Sequence, residues 1–197
     1  PDDKPLGRLL LLTGRADFLE KWAEAFTRLN EAGFAIASFD WRGQGGSTRL
    51  TDSGAGHIDS FDTWLADLDT LSGWARDKLG KGRWLALGHS MGGHLLTRWL
   101  ADPARRDLKL RREVRAAVLA APFFGLGMPW PMRMAALRTA PIQVSRGLAA
   151  EYAWGQQPYG ELQKLSARRL LLTGSRHLFA EEGRWIAANP ALATGGV

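Results

Sequence analysis

One pentapeptide, Gly88-His89-Ser90-Met91-Gly92, constrains this chain more than any other feature. The apolar run Trp84-Leu85-Ala86-Leu87 leads into it. After it, Met91, Leu95 and Trp99 fall on one helical face, and Pro103 marks the stop. The pattern predicts strand, sharp turn and helix with a serine at the apex. A serine held at the tip of such a turn leaves no room for side chains two residues before and two residues after it, which accounts for both glycines. The turn exposes the hydroxyl, and the backbone N–H of Met91 at the helix start points toward a developing oxyanion. Gly-x-Ser-x-Gly alone is a weak pattern. Between a buried-type strand and an amphipathic helix it reads as a nucleophile elbow, the competing reading being a glycine-rich turn with a bystander serine.

The surrounding chain supports an α/β class. Residues 8–12 read as a buried strand. Leu19, Trp22, Phe26 and Leu29 form a helical stripe, which Gly33 can end in the left-handed conformation. Residues 34–39 read as a second strand and 40–48 as a polar, glycine-rich loop. Trp64, Leu68, Leu71 and Leu79 mark a helix ending near Gly80, and strands follow at 83–87 and 114–120. This alternation predicts a mostly parallel sheet with helices on both faces. From about Gly125 prolines, methionines and short helical pieces replace it, as in Met128-Pro129-Trp130-Pro131-Met132. Residues 1–124 are therefore expected to be core, and 125–197 an insertion over the sheet's carboxyl edge, where open α/β sheets bind ligands.

Several classes are excluded. The 197 residues contain no cysteine, so disulfides and cysteine zinc sites are ruled out. No apolar run reaches the 18 or so residues of a membrane span. Pro1-Asp2-Asp3-Lys4-Pro5 does not read as a signal peptide, and it lacks an initiating Met. Gly43, Gln44, Gly45 and Gly46 fit neither phosphate-cradle pattern. The net charge of +6 favours anionic partners. Its one modest cluster is Arg105, Arg106, Lys109, Arg111, Arg112 and Arg115, read first as a solvated surface and second as a contact for anionic lipid headgroups. Nucleic acid is not expected as a partner.

Four segments resemble the α/β-hydrolase superfamily, and more narrowly its lysophospholipase and monoacylglycerol-lipase branch. Leu12-Thr13-Gly14-Arg15 stands where that branch has its first oxyanion-loop motif. Asp40-Trp41-Arg42-Gly43-Gln44-Gly45-Gly46-Ser47 is similar to its Asp-x-Arg-Gly-x-Gly-x-Ser loop. Gly56-His57-Ile58, with Phe61 and Asp67-Leu68, matches the stretch before and within the next helix, and residues 88–93 match the elbow. Leu172-Thr173, Arg176, Asn189-Pro190 and Gly195-Gly196 resemble the cap of bacterial lysophospholipases.

The resemblance implies a serine hydrolase that cleaves carboxylic esters of single-chain lipids, lysophospholipid first, through an acyl-enzyme and without metal or organic cofactor. Ser90 would be the nucleophile, and the backbone N–H groups of Arg15 and Met91 would form the oxyanion hole. In that superfamily the acid and base follow the nucleophile in the order Ser, Asp, His, after the cap. They are expected beyond residue 197, and the chain is expected to be incomplete at both ends. Of the four histidines, His89 is expected to be a buried support, His94 a packing residue or backbone hydrogen-bond partner, and His57 structural. His177 is a base only if residues 170–177 form the strand that carries the acid. Asp40 and Arg42 are expected to hold their loop by local hydrogen bonds. Met128, Trp130, Met132, Met134, Leu137 and Trp154 line an acyl channel or simply pack the cap. The absence of cysteine permits the cytoplasm, where the protein is expected, and the basic cluster allows peripheral contact with an anionic membrane surface. Other activities on the same fold remain open, including monoacylglycerol lipase, aminopeptidase and acyltransferase. A non-catalytic lipid-binding domain is the alternative if the chain is complete as given.

Overall fold

The structure, a computed structural model, describes residues 4–51, 56–124 and 129–146. Four strands, β1 (Gly7–Leu12), β2 (Phe34–Ala37), β3 (Trp84–His89) and β4 (Val114–Ala120), form one parallel sheet in the order β2-β1-β3-β4. The chain moves outward from β1 to β2, then crosses back to place β3 on the other side of β1. The strand order therefore reverses between β1 and β3, and the carboxyl ends there are where open α/β sheets form a ligand crevice. In register, Leu12 lies beside Gly88. That puts the loop after β1 next to the elbow.

Each helix has a local reason to start or stop. A 3-10 turn (Leu19–Trp22) runs into α1 (Ala23–Glu31), and Gly33 follows at φ 88°, as its position in the sequence predicted. A side chain there would meet Leu6. α2 (Phe61–Leu79) begins at Ser60, whose hydroxyl accepts from the Asp62 N–H at 3.1 Å, and ends at Gly80 with φ 87°. α3 (Met91–Ala101) follows β3 directly, α4 (Lys109–Glu113) leads into β4, and α5 (Trp130–Ser145) carries Pro141 inside it.

The dense core lies on one face of the sheet. Leu10 and Leu12 of β1 and Trp84 and Ala86 of β3 pack with Trp64, Leu65, Leu68 and Ala75 of α2 and Met91, Leu95, Leu96 and Trp99 of α3. All four β3 and β1 residues are essentially inaccessible to solvent, and each large side chain so buried contributes about 1.5–3 kcal/mol. The alternate residues of β1, Leu9 and Leu11, are buried as well, but the cover that α1 provides is thinner. The stripe Leu19, Trp22, Phe26 and Leu29 is only half-buried, and α1 buries no residue fully. α1 lies along the edge strand β2 rather than across the sheet's centre, which leaves its apolar side partly open. β4 is mostly exposed, with Val118 54% and Leu119 40% accessible. Among the described residues no helix is long and apolar enough to cross a membrane.

Candidate active site

Ser90 sits between the last residue of β3 and the first of α3, at φ 50° and ψ −116°. A non-glycine residue adopts that conformation only where its surroundings impose it. Here they do so through the backbone. The Ser90 N–H donates to the Ala120 carbonyl at 3.0 Å, and the Ser90 carbonyl accepts from Phe123 at 2.9 Å, Gly93 at 3.1 Å and His94 at 3.2 Å. The exit of β4 thus grips both polar groups of the apex residue.

The glycines are explained by what surrounds them. A Cβ on Gly88 would lie 2.6 Å from the Gly93 Cα. One on Gly92 would press on the Leu12 carbonyl oxygen and sit 2.5 Å from that of Thr13. One on Gly93 would lie 2.9 Å from the Gly88 carbonyl oxygen. α3 can start this close to β1 only without those side chains. As first residue of α3, Met91 has no intrahelical acceptor for its N–H, and the positive end of the helix dipole lies at Ser90.

The loop after β1 closes the other side of the crevice. A Cβ on Gly14 would stand 3.2 Å from both the Ser90 Cβ and the His89 Nδ1. Gly14 donates its N–H to Asp17 Oδ2 at 3.1 Å, and Ala16, at φ 57°, donates to Gln44 Oε1 at 2.7 Å. Arg15 lies between these two tethered residues with its side chain exposed. Among the described residues, the three non-glycine positions with positive φ are Ala16, Ser90 and Ala121. All three lie on the loops that leave β1, β3 and β4 at their carboxyl ends.

The glycine-rich loop does more than the sequence predicted. Asp40 and Arg42 were expected to act locally, but Asp40 Oδ1 accepts from the distant Leu19 N–H at 3.0 Å, while Oδ2 takes the nearby Gly46 N–H at 2.8 Å. Burial raises the Asp40 pKa, against the pull of those two N–H groups. Arg42 forms a two-pronged pair with Asp67 of α2, its Nε 3.1 Å from Oδ2 and its Nη2 bonded to Oδ1. Trp41 donates its indole N–H to the Thr13 carbonyl at 2.9 Å. These partners lie on other elements because residues 40–48 bridge from β2 to the loop after β1. Gly45, at φ 45°, leaves the space that the Asp40 carboxylate occupies.

None of the described histidines hydrogen-bonds the Ser90 hydroxyl. His57 Nε2 lies 2.8 Å from Asp59 Oδ1. The His94 ring packs edge-on against Phe61 and Phe124, and its buried Nδ1 has no hydrogen-bond partner; burial, then Arg98, lowers its pKa. His89 corrects the expectation of a buried support. Its side chain is 36% exposed, stacks edge-on with Trp22 at 5.3 Å, and holds Nδ1 3.5 Å from Asp17 Oδ2. The reason is that β3 ends at the rim of the crevice, so its last side chain reaches solvent on one side.

Asp17 is the residue that sequence reasoning missed. It is 3% exposed and accepts from Gly14, from the Trp22 indole at 3.2 Å and from the Lys21 ammonium at 2.7 Å. Burial alone would raise its pKa. The approach of the His89 imidazole, Lys21 and the Gly14 amide outweigh that and hold the carboxyl well below the usual carboxylate range. The spacing of Lys21 four residues on was its only sequence signal.

His177, Met128 and Trp154 lie outside the described residues. Of the remaining channel candidates, Trp130 is 73% exposed and Met134 half-buried on α5; the side chains of Met132 and Leu137 lie outside the description. Among the described residues no cluster of acidic, histidine or cysteine side chains could hold a metal ion.

A parallel sheet with a strained serine elbow at its switch point defines an α/β-hydrolase. The chain belongs to the family described as serine aminopeptidase, S33, which matches residues 3–170. It is 30% identical over 193 residues to lysophospholipase L2 of Escherichia coli, covering 95% of this chain and 53% of that protein. It is 27% identical over 188 residues to probable lysophospholipase L2 of Haemophilus influenzae, covering 95% and 56%. The chain therefore spans about half the length of the curated relatives it matches. Among solved structures it is similar to a soluble variant of monoglyceride lipase from Saccharomyces cerevisiae, with TM-score 0.60, 18% identity and 88% and 54% of the two chains covered. A thermostable carboxyl esterase from Bacillus coagulans matches with TM-score 0.56, 21% identity and coverage of 84% and 49%. At these identities the two structures support the fold alone.

Proposed function

We propose that the full-length protein hydrolyses carboxylic esters of single-chain lipids, with lysophospholipid as first substrate. The observation that carries this reading is the Ser90 elbow, strained at φ 50° and facing Gly14 across the switch-point crevice. Ser90 Oγ attacks the acyl carbonyl and passes its proton to a histidine base supplied, with its acid partner, from beyond residue 197. The N–H groups of Met91 and Arg15 stabilise the tetrahedral oxyanion. The alcohol departs with the proton, and water then attacks the acyl-enzyme and releases the fatty acid. The lysophospholipase names of both curated relatives support the substrate class. The family's aminopeptidase description favours one rival, cleavage of an N-terminal amide on the same elbow.

The test uses full-length protein and a fluorophosphonate probe. Labelling should map to Ser90 and vanish in Ser90→Ala. A panel of lysophospholipid, monoacylglycerol and aminoacyl anilide separates the lipase and peptidase readings. kcat/KM should climb with acyl length, since each buried methylene is worth about 0.8 kcal/mol. A probe adduct that survives Ser90→Ala, or turnover confined to the anilide, refutes the reading.

Contact with anionic membrane, if made through the basic cluster, would not present the crevice to the bilayer. α4 enters β4 at its amino end, whereas Ser90 lies at the carboxyl ends. A strand of 7 residues separates them by about 20 Å.

A further inference from the structure

The geometry points to Asp17 as a positioning residue for the reaction proposed above, one that locks the oxyanion loop to the nucleophile elbow. The inference rests on that reading and adds a residue that it does not use. One carboxylate oxygen, Oδ2, meets three groups from two sides of the crevice. It accepts the Gly14 N–H at 3.1 Å on the loop after β1. It accepts the Trp22 indole N–H at 3.2 Å. It stands 3.5 Å from Nδ1 of His89, the residue before the nucleophile. Trp22 in turn packs edge-on against the His89 ring. The other oxygen takes the Lys21 ammonium.

Gly14 precedes Arg15 in sequence, and His89 precedes Ser90. The carboxylate is therefore one bond network away from both a donor of the oxyanion hole and the nucleophile. The peptide that carries the Arg15 N–H is restrained on one side by Asp17 through Gly14 and on the other by Gln44 through Ala16. An oxyanion donor acts by standing where charge will develop before the charge arrives. A buried, charged acceptor suits that task, because its hydrogen bonds are stronger than neutral ones and it tolerates no unpaired alternative. A side chain that only stabilised the fold could bond anywhere. Asp17 accepts a hydrogen bond from the oxyanion loop, through Gly14, and stands 3.5 Å from the His89 ring of the elbow.

The experiment compares full-length wild type, Asp17→Asn, His89→Gln and the double variant, with Glu24→Gln as a control that loses only an exposed pair with Arg28. Active sites are titrated with the fluorophosphonate, so turnover is expressed per reactive serine. Asp17→Asn is expected to lower kcat on a lysophospholipid about 10–100-fold with KM little changed. Affinity for a trifluoromethyl ketone, which mimics the tetrahedral adduct, should fall in parallel. The double variant should be no worse than the poorer single one, since the two side chains act as a unit. His89→Gln alters a partly exposed position, so it carries the test if Asp17→Asn does not fold. Its kcat should fall several-fold. Unchanged kcat per titrated site, with only a lower melting temperature, overturns the proposal and leaves the hydrolase reading standing. Independent, multiplying losses from the two substitutions also overturn it. Absence of probe labelling at Ser90 in the wild type overturns both.

Discussion

Gly92→Ala is the sharpest test of how the elbow is built. The added methyl would press on the Leu12 carbonyl oxygen and stand 2.5 Å from the Thr13 carbonyl oxygen and 2.7 Å from the Leu12 carbonyl carbon. All three atoms are backbone of β1 or its exit, in the most buried strand of the sheet, so no rotamer change relieves the contact. Ordinary overpacking against side chains costs about 1–3 kcal/mol. Here α3 must retreat from β1 or β1 must leave its pairing with β3, so the loss should reach about 3 kcal/mol or more. Gly73→Ala supplies the opposite case. Nothing lies within 4 Å of a Cβ placed there, on the exposed side of α2. Replacing a mid-helix glycine with alanine should stabilise by about 0.5–1 kcal/mol. Urea denaturation of the full-length protein, followed by tryptophan fluorescence, gives both values from shifts in midpoint at constant slope. The Gly92→Ala protein should also react more slowly with a fluorophosphonate, because a retreating α3 carries the Met91 N–H with it. A Gly92→Ala variant within 1 kcal/mol of wild type, labelled at the same rate, would refute the close-approach argument.

Three further outcomes follow from particular contacts. Asp17 has a folded pKa below its unfolded value, so its stabilising contribution is full above about pH 5 and is lost as pH falls through the folded value. The stability gap between wild type and Asp17→Asn should therefore narrow steadily below pH 5; a constant gap in acid titrations would contradict it. Asp67→Asn should cost about 1 kcal/mol, more at low salt than at high, because the Arg42 pair is half-exposed but two-pronged; thermal melts in graded salt measure it. Neutralising Lys109, Arg112 and Arg115 together should leave kcat/KM on a water-soluble ester unchanged, because the cluster lies at the far ends of the strands, while lowering co-sedimentation with anionic vesicles.

What the sequence reveals here is local, and what it conceals is long-range. The elbow is legible because its whole residue pattern falls within six positions, even though the demand on Gly92 comes from the backbone of β1. β1 and β3 are legible because their apolar runs need no partner to be recognised, and α2 because Ser60 and Gly80 punctuate it. Asp17 is not legible, since its decisive partners are an amide three residues back and an imidazole 72 positions away. Neither leaves a periodic trace. Asp40 shows the same limit, because a carboxylate in a glycine-rich loop invites a local reading, and only the fold brings the Leu19 N–H to it.

The grip of β4 on Ser90 ties the apex to strand pairing rather than to the helical core. Ala120 receives the Ser90 N–H and Phe123 donates to its carbonyl, and β4 pairs with β3 from Trp84 to His89. Parting of β3 and β4 would free Ser90 to relax from φ 50° while α2, α3 and the Trp84 core stayed intact. Amide exchange at Ser90 should report that event, and reactivity at the serine should be lost with it.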